Sequence, residues 1–89
     1  MTGRENILDT PVHLGELRKG EGGHVCKVEG PEKTVRRLLE MGLIEESYVE
    51  VVHEAPFGRD PIAVRVRGGL LGLRRQEAAC ILLRKASRP

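Results

Sequence analysis

The strongest pattern in the chain is an alternation of apolar and polar positions past its middle. Ile62, Val64 and Val66 alternate with small or charged residues, which predicts a strand that is buried on one face. Gly68-Gly69 interrupts this run and predicts a two-residue turn into a second strand that ends near Leu73. The two runs together predict a β-hairpin.

Further β-type runs flank this hairpin. β-branched residues from Val49 to Val52 predict a strand that stops at Ala55 to Gly58, where Pro and Gly favour a reversal. Residues 24–28 predict a short strand with His24, Cys26 and Val28 on one face, and residues 81–83 predict another. Five short strands are thus expected, which would close a sheet and remove its edges.

One segment, Pro31 to Met41, has the period of an amphipathic helix. Its apolar residues Val35 and Leu38 fall on one side, and Pro31 suits the first helical position. Gly42 is expected to end the helix in a left-handed conformation, with the next residue packing back in a Schellman-type stop.

The N-terminal part of the chain predicts less structure. Leu14 and Leu17, followed by Gly20, predict a single helical turn between Pro11 and Gly20 that covers one end of the core. The expected organisation is an N-terminal tail over residues 1–11, one domain over residues 12–84 and a C-terminal tail over residues 85–89.

Composition limits what this domain can contain. A chain of 89 residues with one Tyr, one Phe and no Trp is expected to fill a single core with Leu, Val and Ile and to lack a deep ligand cavity. No apolar run is long enough for a membrane span and the start lacks the apolar centre of a signal peptide, so we expect a cytoplasmic protein with two free thiols.

The charge pattern favours no polyanionic partner. Fifteen basic and 13 acidic residues give a net charge of +2, and nucleic-acid binding is not expected. Arg65 and Arg67, with Arg59 and Arg74, are predicted to form a positive rim on the outer strand face. Such a rim would contact an acidic partner or only keep the surface soluble.

Few residues carry metal or catalytic chemistry. His24 and Cys26 share a strand face and are weak candidates for a Zn(II) or Fe(II) site, with His13, His53, Glu54 or Asp60 completing the ligands. The chain has no CxxC or HxxxH pair, so packing is the simpler interpretation of both residues. Nucleophile and phosphate-loop motifs are also missing from the sequence, and we expect neither an enzyme nor a cofactor.

Two apolar residues are candidates for contact with a partner protein. Phe57 lies between Pro56 and Gly58 in a predicted loop tip, where it would either anchor a partner or fold back to cap the barrel. Leu70 is out of phase with the apolar residues of its strand and is the second candidate.

The order of short motifs resembles the FeoA family. The motifs are LxxLxxG at Leu14 to Gly20, the helix end RLLEMGL at Arg37 to Leu43, and the run from Ala55 to Ala78 that contains APFG, DPI and LxLRxxEA. Two positions depart from the family pattern. Glu45-Glu46 stands where the family usually has Pro-Gly, and Arg59 lengthens the APFG loop by one residue.

The resemblance implies an SH3-like small β-barrel, mainly β with short helices and capped by one amphipathic helix. It also implies an accessory or regulatory protein of ferrous iron uptake that binds the cytosolic part of a FeoB-type membrane GTPase, with no catalytic residues of its own. Two alternatives stay open: a small-barrel nucleic-acid-binding module, and a detached SH3-like domain of a metal-dependent repressor. A weak homodimer stays open as well.

Overall fold

The computed structural model of the protein describes residues 10–85. These residues form six strands, two α-helices and one 3-10 turn. In chain order they are β1 (Pro11–His13), the 3-10 turn (Leu14–Glu16), β2 (Gly22–Val28), α1 (Glu32–Glu40), β3 (Tyr48–Glu54), β4 (Ile62–Val66), β5 (Gly69–Leu73), α2 (Arg75–Ala78) and β6 (Ile81–Lys85). Residues 1–9 and 86–89 of the predicted tails lie outside the described residues.

All six strands belong to one antiparallel sheet with the order β1-β6-β2-β3-β4-β5. The sheet bends around the core but does not close through hydrogen bonds, because β1 pairs with β6 and not with β5. The prediction that the strands remove both sheet edges is therefore wrong. The strands form a partly open barrel, and β5 is one of its edges.

The β4–β5 hairpin turns one residue earlier than predicted. Val66 pairs with Gly69, so the turn consists of Arg67 and Gly68, whose φ angles are +52° and +82°. Two positive φ angles define a type I′ turn, which matches the twist of the flanking strands. Arg67 consequently lies in the turn and not on the outer strand face.

The first strand was not expected. Pro11–His13 pairs with the end of β6, with Val12 opposite Leu83, and the predicted helical turn covers only Leu14–Glu16. Propensity favours no strand in so short a segment, and pairing with a distant strand is what orders it.

The single predicted helix forms, with one change at its start. Pro31 is the N-cap, with φ −58° and ψ 137°, and its carbonyl accepts the first helical bond from Val35. The predicted Schellman stop is confirmed, since Leu43 N–H donates to Leu38 O at 3.1 Å and Gly42 N–H to Leu39 O at 3.0 Å. Gly42 has the expected positive φ of +99°.

The core is aliphatic throughout, as the composition predicts. Its buried members come from the sheet, both helices and the segments next to them: Leu14, Leu17, Val25, Leu38, Leu43, Val49, Val51, Ile62, Val64, Val66, Leu73, Ala78, Ile81 and Leu83. A β-bulge between Val25 and Lys27 breaks the predicted alternation, and Val28 packs against the same core as Val25. His24, Cys26 and Val28 therefore do not share one regular face.

A second short helix, α2, connects β5 to β6 and was not predicted. The Glu77 carboxylate accepts the N–H of the N-cap residue Arg74 at 3.0 Å, and Ala78 is buried in the core. Four residues are too few to show a helical period in sequence.

Candidate partner-binding surface

The loop over residues 55–61 joins β3 to β4 and carries the most exposed apolar residue among those described. Its base is closed by Ala55 N–H, which donates to Pro61 O at 3.1 Å. Phe57 is 91% exposed at the tip of this loop, so it does not fold back to cap the barrel. A large apolar side chain held in water is available for contact with another protein.

Arg75 holds this loop against the barrel. Its backbone N–H donates to Oδ1 of Asp60 at 2.9 Å, and its Nε donates to the carbonyl of Arg59 at 2.9 Å. Arg59 has a φ of +58°, and its side chain is exposed. The extra residue in the loop is thus fixed through its backbone, and its cation faces solvent.

The remaining donors of Arg75 reach two further parts of the chain. Nη1 donates to the carbonyls of Gly15 at 2.9 Å and Leu17 at 2.8 Å, and Nη2 lies 2.8 Å from Oε2 of Glu54. The planar guanidinium serves all of these acceptors at once, which an ammonium group could not do. Sequence reasoning counted Arg75 only among the basic residues, because its partners lie up to 60 positions away.

Glu54 ends β3 directly before the loop and receives two cations. Nε of Arg18 lies 3.1 Å and Nη2 of Arg75 lies 2.8 Å from the same carboxylate oxygen, and the Glu54 side chain is only 13% exposed. Burial acts to raise the pKa of Glu54, but the hydrogen bond from Arg18 and the charges of both arginines outweigh it and lower that pKa. Glu54 is therefore a charged anchor at the base of the loop.

Two more of the predicted partner-binding residues lie on the outer face of the hairpin. Arg65 lies opposite Leu70 in the β4–β5 register, and both side chains are exposed. The next outward pair consists of Ala63, whose side chain is a methyl group, and Gly72, which has no side chain. Leu70 therefore projects from the outer sheet face next to the small Ala63–Gly72 pair, with the Arg65 cation directly opposite.

The five predicted partner-binding residues fall into three places. Phe57 and Arg59 lie in the loop, Arg65 and Leu70 on the outer face, and Arg67 in the turn at the far end of the hairpin. The Arg67 side chain runs toward the end of α1, where its Cδ lies 3.0 Å from the position that a Gly42 β-carbon would take.

The predicted metal ligands are not gathered at one point. His24 is exposed and meets Tyr48 edge-on with 5.2 Å between ring centroids, while Cys26 is partly buried. Glu54 and Asp60 accept hydrogen bonds from Arg75. Within residues 10–85 no three His, Cys, Asp or Glu side chains come together in a group that could hold a metal ion.

Two other surface features were missed in the sequence. Tyr48 is an exposed aromatic residue at the start of β3, and its position out of phase with Val49 and Val51 was the available signal. A cleft of about 360 Å³ separates α1 from α2, and the partly buried Cys80 lines it. Cys80 contacts the core from this cleft.

Neither helix within residues 10–85 has the length and the apolar run that crossing a membrane requires. A small, partly open antiparallel barrel with an aliphatic core and an exposed apolar loop is typical of an SH3-like interaction domain. The family model of the FeoA domain matches residues 12–85, and the chain belongs to the FeoA domain family.

Known proteins of this family include a fused relative. The chain is 37% identical over 70 residues, which is 79% of its length, to the Fe(2+) transport protein A/Fe(2+) transporter FeoB fusion protein of Porphyromonas gingivalis. It spans only 8% of that relative's length.

Solved structures agree on the fold. The FeoA-like protein from Clostridium acetobutylicum is 33% identical with a TM-score of 0.75, over 82% of this chain and 84% of that one. The Stenotrophomonas maltophilia FeoA complexed with zinc, described as a prokaryotic SH3 domain protein, is 28% identical with a TM-score of 0.71, over 81% of this chain and 88% of that one. A manganese-dependent transcriptional repressor shares the fold at 20% identity and a TM-score of 0.76, over 85% of this chain and 37% of that one.

Proposed function

We propose that the protein is a non-enzymatic accessory protein of ferrous iron uptake that acts in the cytoplasm by binding the cytosolic part of a FeoB-type transporter. The observation that carries the proposal is the relative in which an FeoA region and a FeoB transporter form one chain. Fusion raises the effective concentration of one part near the other, which is useful when the separate proteins bind each other.

The loop around Phe57 is the contact we assign to the transporter. Phe57 offers a rigid aromatic side chain at 91% exposure, and Arg75 holds the loop backbone in place before any partner arrives. A preorganised apolar anchor loses little conformational entropy on binding. The exposed cation of Arg59 beside it favours an acidic surface on the partner.

The mechanism we propose is selection between conformations of the transporter. A protein that contacts one state of its partner better than another shifts the population toward that state. Iron is then the cargo of the transporter and not a ligand held by this chain.

Binding of the purified chain to the full-length FeoB-type transporter from the same cell tests the proposal. The measurement is made in detergent and without oxygen, with and without Fe(II) and guanine nucleotide. Saturable binding that changes with nucleotide or iron is the expected result. No binding under any of these conditions would overturn the proposal and leave two alternatives, a nucleic-acid-binding module and a repressor domain, the second of which shares its fold with this chain.

A further inference from the structure

The edge strand β5 has unpaired backbone groups on one side. Val66 and Gly69 flank the two-residue turn as a hydrogen-bonded pair, and pairs alternate along an antiparallel ladder. Gly69, Leu71 and Leu73 therefore direct their N–H and C=O groups toward β4. Leu70 and Gly72 direct theirs away from the sheet, where no other strand within residues 10–85 pairs with them.

This edge lacks the devices that usually protect one. Protected edges carry charged residues, proline or bulges, or they are very short. The other edge, β1, has three residues and begins with Pro11. The five residues of β5 are GLLGL, the β4–β5 register is regular, and a β-carbon added at Gly72 would meet nothing within 4 Å. Leu70 is 63% exposed beside this open position.

Three arginines flank β5. Arg65 lies beside Leu70, Arg67 lies in the turn before the strand, and Arg74 follows its end. All three are exposed, and none of their guanidinium groups forms an ion pair within 4.0 Å among residues 10–85. Glu77 Oε1 accepts the backbone N–H of Arg74, and Glu50 lies opposite Arg65 on β3. An uncharged strand flanked by arginines whose guanidinium groups form no ion pair complements an extended segment whose apolar residues are flanked by acidic ones.

We infer that β5 accepts an extended, acid-flanked segment of the transporter's cytosolic part as an additional strand of the sheet. This inference rests on the proposed function for the identity of the partner. Main-chain hydrogen bonds to Leu70 and Gly72 would supply affinity, and side chains that alternate along the added strand would contact Leu70. A second copy of this chain fits less well, because antiparallel pairing of two β5 strands brings the Arg67 turn of one next to Arg74 of the other.

Amide hydrogen exchange measured by NMR on the whole chain tests the inference. The first probe is the cytosolic part of the FeoB-type transporter. The second is a designed peptide of alternating valine and threonine with two glutamates at each end, compared with the same peptide carrying lysines in their place. With either bound probe, we expect the amides of Leu70 and Gly72 to exchange at least about tenfold more slowly. The lysine version should bind at least about tenfold more weakly than the glutamate version.

Two variants control for the surface as a whole. Leu70→Glu places a carboxylate in the edge and should abolish the protection, whereas Leu39→Glu changes an exposed leucine on α1 and should leave it intact. Transporter binding without protection of Leu70 and Gly72 would overturn the inference and leave the proposed function standing. Protection of Leu70 and Gly72 by the acidic peptide without transporter binding would overturn the proposed function and, with it, the transporter as the occupant of β5, and would leave only the affinity of β5 for acid-flanked strands. If neither the transporter part nor the acidic peptide bound, both the inference and the proposed function would be overturned.

Discussion

Nη2 of Arg75 lies 2.8 Å from Oε2 of Glu54, and this ion pair joins α2 to the end of β3 at the point where the Phe57 loop begins. The same guanidinium also binds the loop carbonyl of Arg59 and two carbonyls of the segment after β1. One side chain thus connects the loop, the start of α2 and the N-terminal segment. The loop presents Phe57 in a set position because its base is held from several sides.

Replacement of Arg75 tests this role. Arg75→Ala leaves the carbonyls of Gly15 and Leu17 without their donor in a partly buried place, and we expect a loss of about 2 kcal/mol or more in the free energy of unfolding. Arg75→Lys should recover little, because a point charge cannot serve acceptors in several directions. Urea unfolding measures both. Arg74→Ala, at the exposed neighbour, should change stability by less than about 0.5 kcal/mol, and an equal loss there would refute the role.

Phe57→Ala separates binding from stability. Because Phe57 is 91% exposed, its truncation should leave the melting temperature nearly unchanged, while binding to the transporter weakens at least about tenfold. Leu39→Ala removes a different exposed apolar side chain and should preserve binding. A large drop in melting temperature with unchanged affinity of the folded protein would show that Phe57 supports the fold instead.

Gly42→Ala tests the helix stop. Gly42 has a φ of +99°, and a β-carbon there would lie 3.0 Å from Cδ of Arg67, so the Arg67 side chain must move as well. We expect a loss of about 1 kcal/mol or slightly more in the free energy of unfolding, measured by denaturant titration. Gly72→Ala, in open space, should cost less than about 0.5 kcal/mol. Equal costs at the two positions would contradict the assigned strain.

The dependence of stability on pH follows from three carboxylates. The backbone N–H of Arg18 lowers the pKa of Glu21, and the N–H of Arg74 lowers the pKa of Glu77 against the opposing effect of burial, with help from Arg37. The pKa of Glu54 is also lowered, as described above. All three stay below the ordinary value of 4.5 in the folded protein.

A lowered pKa means that the folded protein binds the proton more weakly than the unfolded chain does. The stability from these groups is therefore complete above the ordinary pKa, and it is lost as the pH falls through the folded pKa values, from about pH 5 downward. Thermal unfolding across this range should show the decline. Glu77→Gln should flatten it, and Glu45→Gln controls for the loss of one exposed charge. If Glu77→Gln left the decline of the unfolding temperature with pH unchanged, Glu77 would not contribute to the pH dependence of stability.

Several features of the fold were predictable from local sequence patterns. The alternation of Ile62, Val64 and Val66 and the glycines after it predict the hairpin, because burial of one sheet face imposes a period of two. The Gly42 stop was equally predictable, since only a left-handed residue ends a helix in this way. The site was partly predictable: loop-tip position suggested Phe57, and phase suggested Leu70.

The sequence by itself determined which faces are apolar, which residues reverse the chain and which family the motifs belong to. Tertiary structure alone decided that β1 pairs with β6, that β5 stays an open edge and that Arg75 reaches Gly15 across 60 positions. The physical reason is the separation along the chain over which each interaction acts. Periodicity and turn preferences act over a few residues, whereas sheet order and the acceptors of a half-buried guanidinium depend on which distant segments the closed core brings together.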